Sequence, residues 1–252
     1  MVMDGELLEK FIKGFYGYGV PEADYWFVGM EEGASDKPKE LKKSIEKRIT
    51  EWDKCGRTNF IDFGTFRNDI APTWFREEST IQQTWGGLIR VLLSGLGKQI
   101  DSKTVRDYQK DAFGIDGKMC LLELSPLPCK GSGEKKWLYK KCFEHLGLEW
   151  LKTRKGFKDK CFPERIKVLE ELIKKHKPKA VVFYGLTYKE HWESIAESQD
   201  VEFEKCENGE HKLFFGQNKN TQFVIMRHPA ARETNGEYFI KIGKLIARKM
   251  SG

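Results

Sequence analysis

Four short apolar runs, none alternating cleanly between polar and apolar residues, constrain the fold of this chain more than any other feature. They are residues 25–30 (YWFVGM), 120–124 (CLLEL), 180–185 (AVVFYG) and 223–227 (FVIMR). A strand with one wet face alternates, whereas a short run that does not alternate reads as a strand covered on both faces. Helical patterns separate the runs, so the expected fold is α/β. It is a three-layer αβα sandwich around a central, mainly parallel four-stranded sheet.

Leu41, Ile45, Ile49 and Trp52 recur at helical spacing, and Ile166, Leu169, Leu172 and Ile173 form a second stripe. Further helices are expected over 6–15, 81–93, 138–151, 188–198 and 238–249. Between the third and fourth runs, Asn208-Gly209 sits between β-prone stretches and predicts a hairpin turn, read as an insertion beside the main sheet. No internal repeat or long Pro/Gly-rich linker divides the chain, so 1–252 reads as a single domain.

Composition narrows the class. Of 252 residues, 39% are hydrophobic and 13% aromatic, too many for a disordered chain, and 33% are charged, too many for a membrane protein. The net charge of +6 tolerates a polyanion without demanding one. The opening MVMDGELLEKF carries acids where a secretory signal needs bases, so the expected location is the cytoplasm, as a monomer without membrane association. Six scattered cysteines include no C-x-x-C pair or zinc-finger spacing, so neither a metal nor a cofactor is expected.

In an open parallel sheet, ligands lie beyond the carboxyl ends of the strands. After the first run come Gly29, Met30, Glu31, Glu32 and Gly33; after the second, Ser125 and Pro126; after the third, Gly185; after the fourth, His228, Pro229, Ala230, Ala231 and Arg232. A carboxylate at Glu31 or Glu32 can orient and activate water, or simply offset a helix dipole. His228 can donate to developing negative charge, or serve as a structural histidine. Glu123 interrupts an apolar strand, which requires an ion-pair partner, a proton or a polar pocket. Residues 129–137 (CKGSGEKKW) suit a phosphate-contacting loop or an ordinary surface loop, and residues 152–179 hold eleven Lys/Arg against four Asp/Glu. Tyr25, Trp85, Phe183 and Tyr184 are stacking candidates or core. Walker, nucleophile-elbow, zincin, zinc-deaminase and dinucleotide-binding motifs are all missing from the sequence.

In this order the residues resemble the uracil-DNA glycosylase superfamily. Gly29-Met30-Glu31-Glu32-Gly33 is similar to its first motif, G-x-[DNE]-P-[GY], and His228-Pro229-Ala230 to its second, H-P-S. CLLELSPLP resembles the segment in which a side chain reads the extruded base, and VVFYG the strand before a structural glycine. The resemblance spans roughly residues 25–232, with Glu32 in place of the usual Pro and Ala230 in place of the Ser.

The resemblance implies a monofunctional DNA glycosylase that flips out a base and hydrolyses its N-glycosidic bond, leaving an abasic site. Its catalytic residues would be Glu31 and His228, with Glu32 in reserve. The substrate-binding set would be Glu123, Gly29, Met30, Gly33, Ser125, Pro126, Tyr184 and Arg232. Lys130, Gly131, Ser132, Lys135 and Lys136 would contact DNA backbone. Glu123 stands where uracil-excising members carry Asn; an ionised Glu only accepts hydrogen bonds, which implies a cytosine-derived base. Ordinary cytosine would be destructive to excise, so a modified or damaged base is expected, such as one in modified viral DNA targeted by antiviral defence. The rivals are a non-catalytic DNA sensor and a hydrolase of free nucleosides or nucleotides.

Overall fold

The four apolar runs become four adjacent parallel strands, and their register decides where the chemistry lies. The computed structural model describes residues 4–64, 74–75, 79–114, 117–131, 133–208 and 211–250. The strands are β2 (Tyr25–Gly29), β4 (Met119–Glu123), β5 (Ala180–Tyr184) and β8 (Gln222–Met226), in spatial order β4-β2-β5-β8. Tyr25 is level with Met119 and Ala180, and Ala180 with Gln222, so the four strands start together. They therefore end together: Gly29 faces Glu123, and Tyr184 faces Met226.

Every residue of these four strands is buried. Successive strand residues point to opposite faces, so helices must cover both. The hydroxyl of Tyr25 lies against Gly95 of α3 (Gln83–Gly95), while the next residue, Trp26, lies 5.9 Å from His176 at the end of α6 (Arg154–His176). On the Tyr25 side, α3 packs on α4 (Ser102–Asp111) and extensively on α8 (Gly236–Met250). On the other side, α1 (Gly5–Gly14) touches α6 and α2 (Pro38–Lys54), α2 touches α5 (Tyr139–Phe143), and α6 touches α7 (Lys189–Glu197).

The sheet is larger than its four-strand centre, which corrects the expected strand count, and it is mixed rather than purely parallel. Its order is β3-β1-β4-β2-β5-β8-β7-β6, eight strands in all. On one side β1 (Gly17–Tyr18) runs antiparallel to β4 and parallel to β3 (Phe60–Ile61). On the other, the hairpin of β6 (Glu204–Asn208) and β7 (His211–Gln217) continues the sheet, because β7 pairs antiparallel with β8. The hairpin is thus part of the sheet rather than an insertion beside it; its turn includes residues outside the described set.

The helix expected over 138–151 is also interrupted. It shortens to α5 followed by two 3-10 turns, separated where Gly147 takes a φ of +66° that ordinary side chains avoid. Helix α4 lacks an apolar stripe strong enough to be read from sequence; among its residues Val105 and Gln109 are buried. No helix among the described residues is long and apolar enough to cross a membrane.

Candidate active site

A cavity of about 860 Å³ opens beyond the carboxyl ends of β2, β4, β5 and β8, in the size range of small-molecule sites. Met30, Glu31, Glu32, Gly33, Glu123, Tyr184 and His228 all line it. The strand ends bring them together directly. Beyond β2 the chain stays alongside the segment after β4: Leu124 N donates to Gly29 O at 2.8 Å, Ser125 N to Met30 O at 2.6 Å, and Cys129 N to Glu32 O at 2.8 Å.

The three acids on the wall have three different environments. The Glu31 side chain is 9% exposed, and Arg154 Nη2 donates to its Oε1 at 2.6 Å. Oε2 is buried without a partner among the described residues. Burial raises the pKa of Glu31, with Arg154 and then Lys158 opposing the shift. Glu32 is clamped by Arg48, which donates from Nη1 to Oε1 at 2.7 Å and from Nη2 to Oε2 at 2.9 Å, with the Tyr18 hydroxyl donating to Oε1 at 2.9 Å. Such a two-pronged clamp fixes the carboxylate in place.

Glu123 is 3% exposed and, among the described residues, has no cation against its carboxyl group. Tyr184 donates to its Oε1 at 2.9 Å, and Oε2 is buried without a partner among the described residues. Burial first, then the charges of Glu32 and Glu31, push its pKa well above the ordinary carboxylate range. This environment disfavours the ionised form of Glu123 on which the cytosine assignment rests.

His228 follows β8 at the exposed mouth of the cavity, its ring 5.5 Å from that of Tyr184 in an edge-on arrangement. Ala230 N donates to His228 Nδ1 at 3.1 Å, so the neutral tautomer carries its proton on Nε2. Surrounding protein lowers its pKa, which keeps the ring a neutral donor.

Gly29 is needed because of a close approach. A Cβ there would overlap the Tyr184 phenol, which lies across the end of β2 on its way to Glu123. Gly33 is exposed with open space around it, so its place on the wall does not require a glycine. Ser125 is turned inward, donating to Leu127 O at 3.1 Å and accepting from Leu127 N at 3.3 Å; it and Pro126 are buried away from the cavity. Arg232 is exposed on the turn after β8 and does not line the cavity. Of the stacking candidates, Trp85 and Tyr184 reach the wall, whereas Tyr25 and Phe183 are core.

Of the expected backbone-contacting loop, Lys130 and Gly131 line the cavity and Lys135 and Lys136 are exposed on a 3-10 turn. Ser132 lies outside the described residues. Lys130 is ion-paired with Asp36, and Gly131 O accepts from Arg154 Nη1 at 2.9 Å. Arg154 thus ties this loop to Glu31.

Arg48, Arg154 and Tyr18 were not among the expected site residues. Arg48 had a signal: it shares the buried face of α2 with Ile45, Ile49 and Trp52, and an arginine on an apolar stripe requires an anion or carbonyls to meet it. Arg154 was hidden within the basic run. In the structure Arg154 and Arg165 of that run are buried, and Arg165 donates to Leu124 O and Glu123 O at 2.5 and 2.9 Å, bracing the end of β4. Among the described residues, no three His, Cys, Asp or Glu side chains are grouped as metal ligands. No protein-family model matches this chain, and no curated protein matches it.

Proposed function

We propose that this protein is a divergent member of the uracil-DNA glycosylase superfamily, with the three-layer αβα arrangement of that group. It acts as a monofunctional glycosylase that flips a modified or damaged base out of DNA and hydrolyses its N-glycosidic bond. The observation that carries this reading is one cavity whose wall includes two buried carboxyl groups, Glu31 and Glu123, each with one oxygen unpartnered among the described residues, and His228, whose Nδ1 accepts from Ala230 N and whose Nε2 therefore carries the proton.

Glu31 Oε2 holds the attacking water and takes its proton as the water oxygen bonds to the sugar C1′. The base departs with the electron pair of the broken C–N bond, and His228 Nε2–H stabilises the resulting negative charge before the base is protonated. Trp85 and Tyr184 supply aromatic surface beside the extruded base. Excision of an ordinary cytosine would be destructive, which favours a modified base, as in altered viral DNA, and a role in antiviral defence. Lys135 and Lys136 are exposed for phosphate contacts. No cofactor enters this chemistry.

The test is an abasic-site assay followed by alkali cleavage, on duplex and single-stranded DNA containing uracil, hypoxanthine, cytosine or 5-substituted cytosines. Cleavage of one substrate that vanishes in both Glu31→Gln and His228→Ala supports the reading. Tight binding to one base without cleavage replaces it with the DNA sensor, and release of base from free nucleosides alone replaces it with the nucleoside hydrolase.

A further inference from the structure

Three carboxyl groups share the cavity wall, and each of two has its own arginine. Glu31 meets Arg154 and Glu32 meets Arg48, while Glu123 meets the Tyr184 hydroxyl at Oε1 and nothing among the described residues at Oε2. The groups facing Glu123 are Glu31 and Glu32 beyond β2, Arg48 on α2, Tyr184 at the end of β5, and Arg165 on α6. Arg48 is engaged by Glu32, and Arg165 donates to the main-chain oxygen of Glu123 rather than to its carboxyl group.

A carboxylate buried beside two other carboxylates and lacking a cation of its own is unfavourable, and a proton removes the difficulty. The neutral acid also fits the observed hydrogen bond. Its carbonyl oxygen, Oε1, accepts from Tyr184, which leaves the hydroxyl at Oε2 as a donor without an acceptor. A buried donor in the wall of a cavity is satisfied when a ligand brings an acceptor to it.

We infer that Glu123, at the base-reading position the resemblance already implies, serves there as a carboxylic acid whose Oε2–H donates to an acceptor on the bound base. That acceptor is a ring nitrogen or an exocyclic carbonyl oxygen. The second lone pair of Oε1 takes an adjacent N–H, so the acid reads a neighbouring donor and acceptor on one pyrimidine edge. A cytosine-type edge supplies N3 and the N4 amine, and a uracil-type edge supplies O4 and N3–H. This rests on the glycosylase reading for the nature of the ligand, while the protonation of Glu123 stands on the cavity alone.

Two measurements test it. Infrared difference spectra between wild type and Glu123→Gln at neutral pH should contain a protonated carboxyl band in the wild type; its absence overturns the inference. Binding is then read by fluorescence anisotropy with single-stranded oligonucleotides carrying one non-cleavable 2′-fluoro uracil, 2′-fluoro cytosine or 2′-fluoro 5-hydroxymethylcytosine, beside a tetrahydrofuran abasic control. Glu123→Gln keeps a donor and should bind the preferred base within about threefold of wild type. Glu123→Leu should bind it at least about tenfold more weakly, with the abasic control unchanged. Equal losses in the two folded variants, or wild-type binding indifferent to the base, overturn the inference. Failure to excise any base, with the donor-dependent binding intact, removes the glycosylase reading and leaves the acid in place. Which pyrimidine responds distinguishes the two edges.

Discussion

Arg154 Nη2 lies 2.6 Å from Glu31 Oε1 and leaves Oε2 of the same carboxyl group unpartnered among the described residues. One oxygen is anchored and the other, buried at the cavity wall, has no such anchor, which suits the water-positioning role proposed for Glu31. Burial raises the Glu31 pKa and Arg154 restrains the rise. In Arg154→Met the restraint is gone, the pKa climbs further, and the basic form appears only at higher pH. The acidic limb of kcat/KM against pH is therefore expected to move upward, with unchanged position counting against this role for Glu31. Glu31→Gln removes the proton acceptor and should reduce abasic-site formation about 10²- to 10⁴-fold.

Under the proposed glycosylase chemistry, His228→Ala should reduce turnover about 10²- to 10³-fold with little change in DNA affinity, because the donor would act on charge that develops only as the base leaves. His228→Gln keeps an N–H and should recover part of the rate. Single-turnover kinetics and equilibrium binding separate the two effects; a parallel loss of affinity would indicate that the ring supports the ground state.

The Glu32–Arg48 clamp has a different consequence. The Arg48 side chain is 5% exposed and that of Glu32 22%, so removing the arginine strands a largely buried carboxylate. Arg48→Met should lower stability by about 3 kcal/mol, and Arg48→Met combined with Glu32→Gln should regain part of it. Urea unfolding of these two variants, of Glu32→Gln alone and of the wild type measures this coupling. If the double variant is no more stable than Arg48→Met, the pair is not acting as a unit.

Glu123 links the site to the stability of the fold. Its native pKa is raised, so between the ordinary carboxylate value and that raised value the native state binds more protons than the unfolded state. Stability contributed by this group is present in acid and declines as pH rises through that window. Relative to Glu123→Gln, which does not titrate, the wild type should lose up to about 1.4 kcal/mol per pH unit there. Urea unfolding at successive pH values reads the difference directly, and parallel curves for the two proteins would contradict it.

Gly29→Ala should disturb the same group from a distance of one strand. The new Cβ overlaps the Tyr184 ring, so the phenol must shift from its hydrogen bond to Glu123. The expected cost is about 1 to 3 kcal/mol of stability, with weakened base discrimination. A Gly29→Ala protein as stable and as selective as wild type would show that the ring has room to move.

The sequence made the centre of the fold legible through its four non-alternating runs, because burial on both faces leaves that mark wherever it occurs. The outer strands left little mark: β1 and β3 have two residues each, too few for any period. The hairpin residues read as β-prone, but whether β7 joins β8 depends on contacts outside the hairpin. Glu31, Glu123 and His228 were legible from their places at strand ends. Their electrostatics were not, since Arg48 and Arg154 arrive from helices on other parts of the chain. A count of eleven cations over 152–179 indicates an exposed basic face, and it does not reveal that Arg154 and Arg165 turn inward. Glu123 was recognisably out of place, yet the environment that raises its pKa follows from a cation that Glu31 and Glu32 have and that it lacks among the described residues.

The pairing of acids and arginines also decides what a polyanion meets at this cleft. Counted from sequence, a wall with Glu31, Glu32 and Glu123 would repel a phosphodiester chain. Two of these charges are cancelled within the wall by Arg154 and Arg48, and the environment of the third favours its neutral form. The acids of the cleft wall are thus largely neutralised within the wall itself, and Lys130, which also lines it, is paired with Asp36.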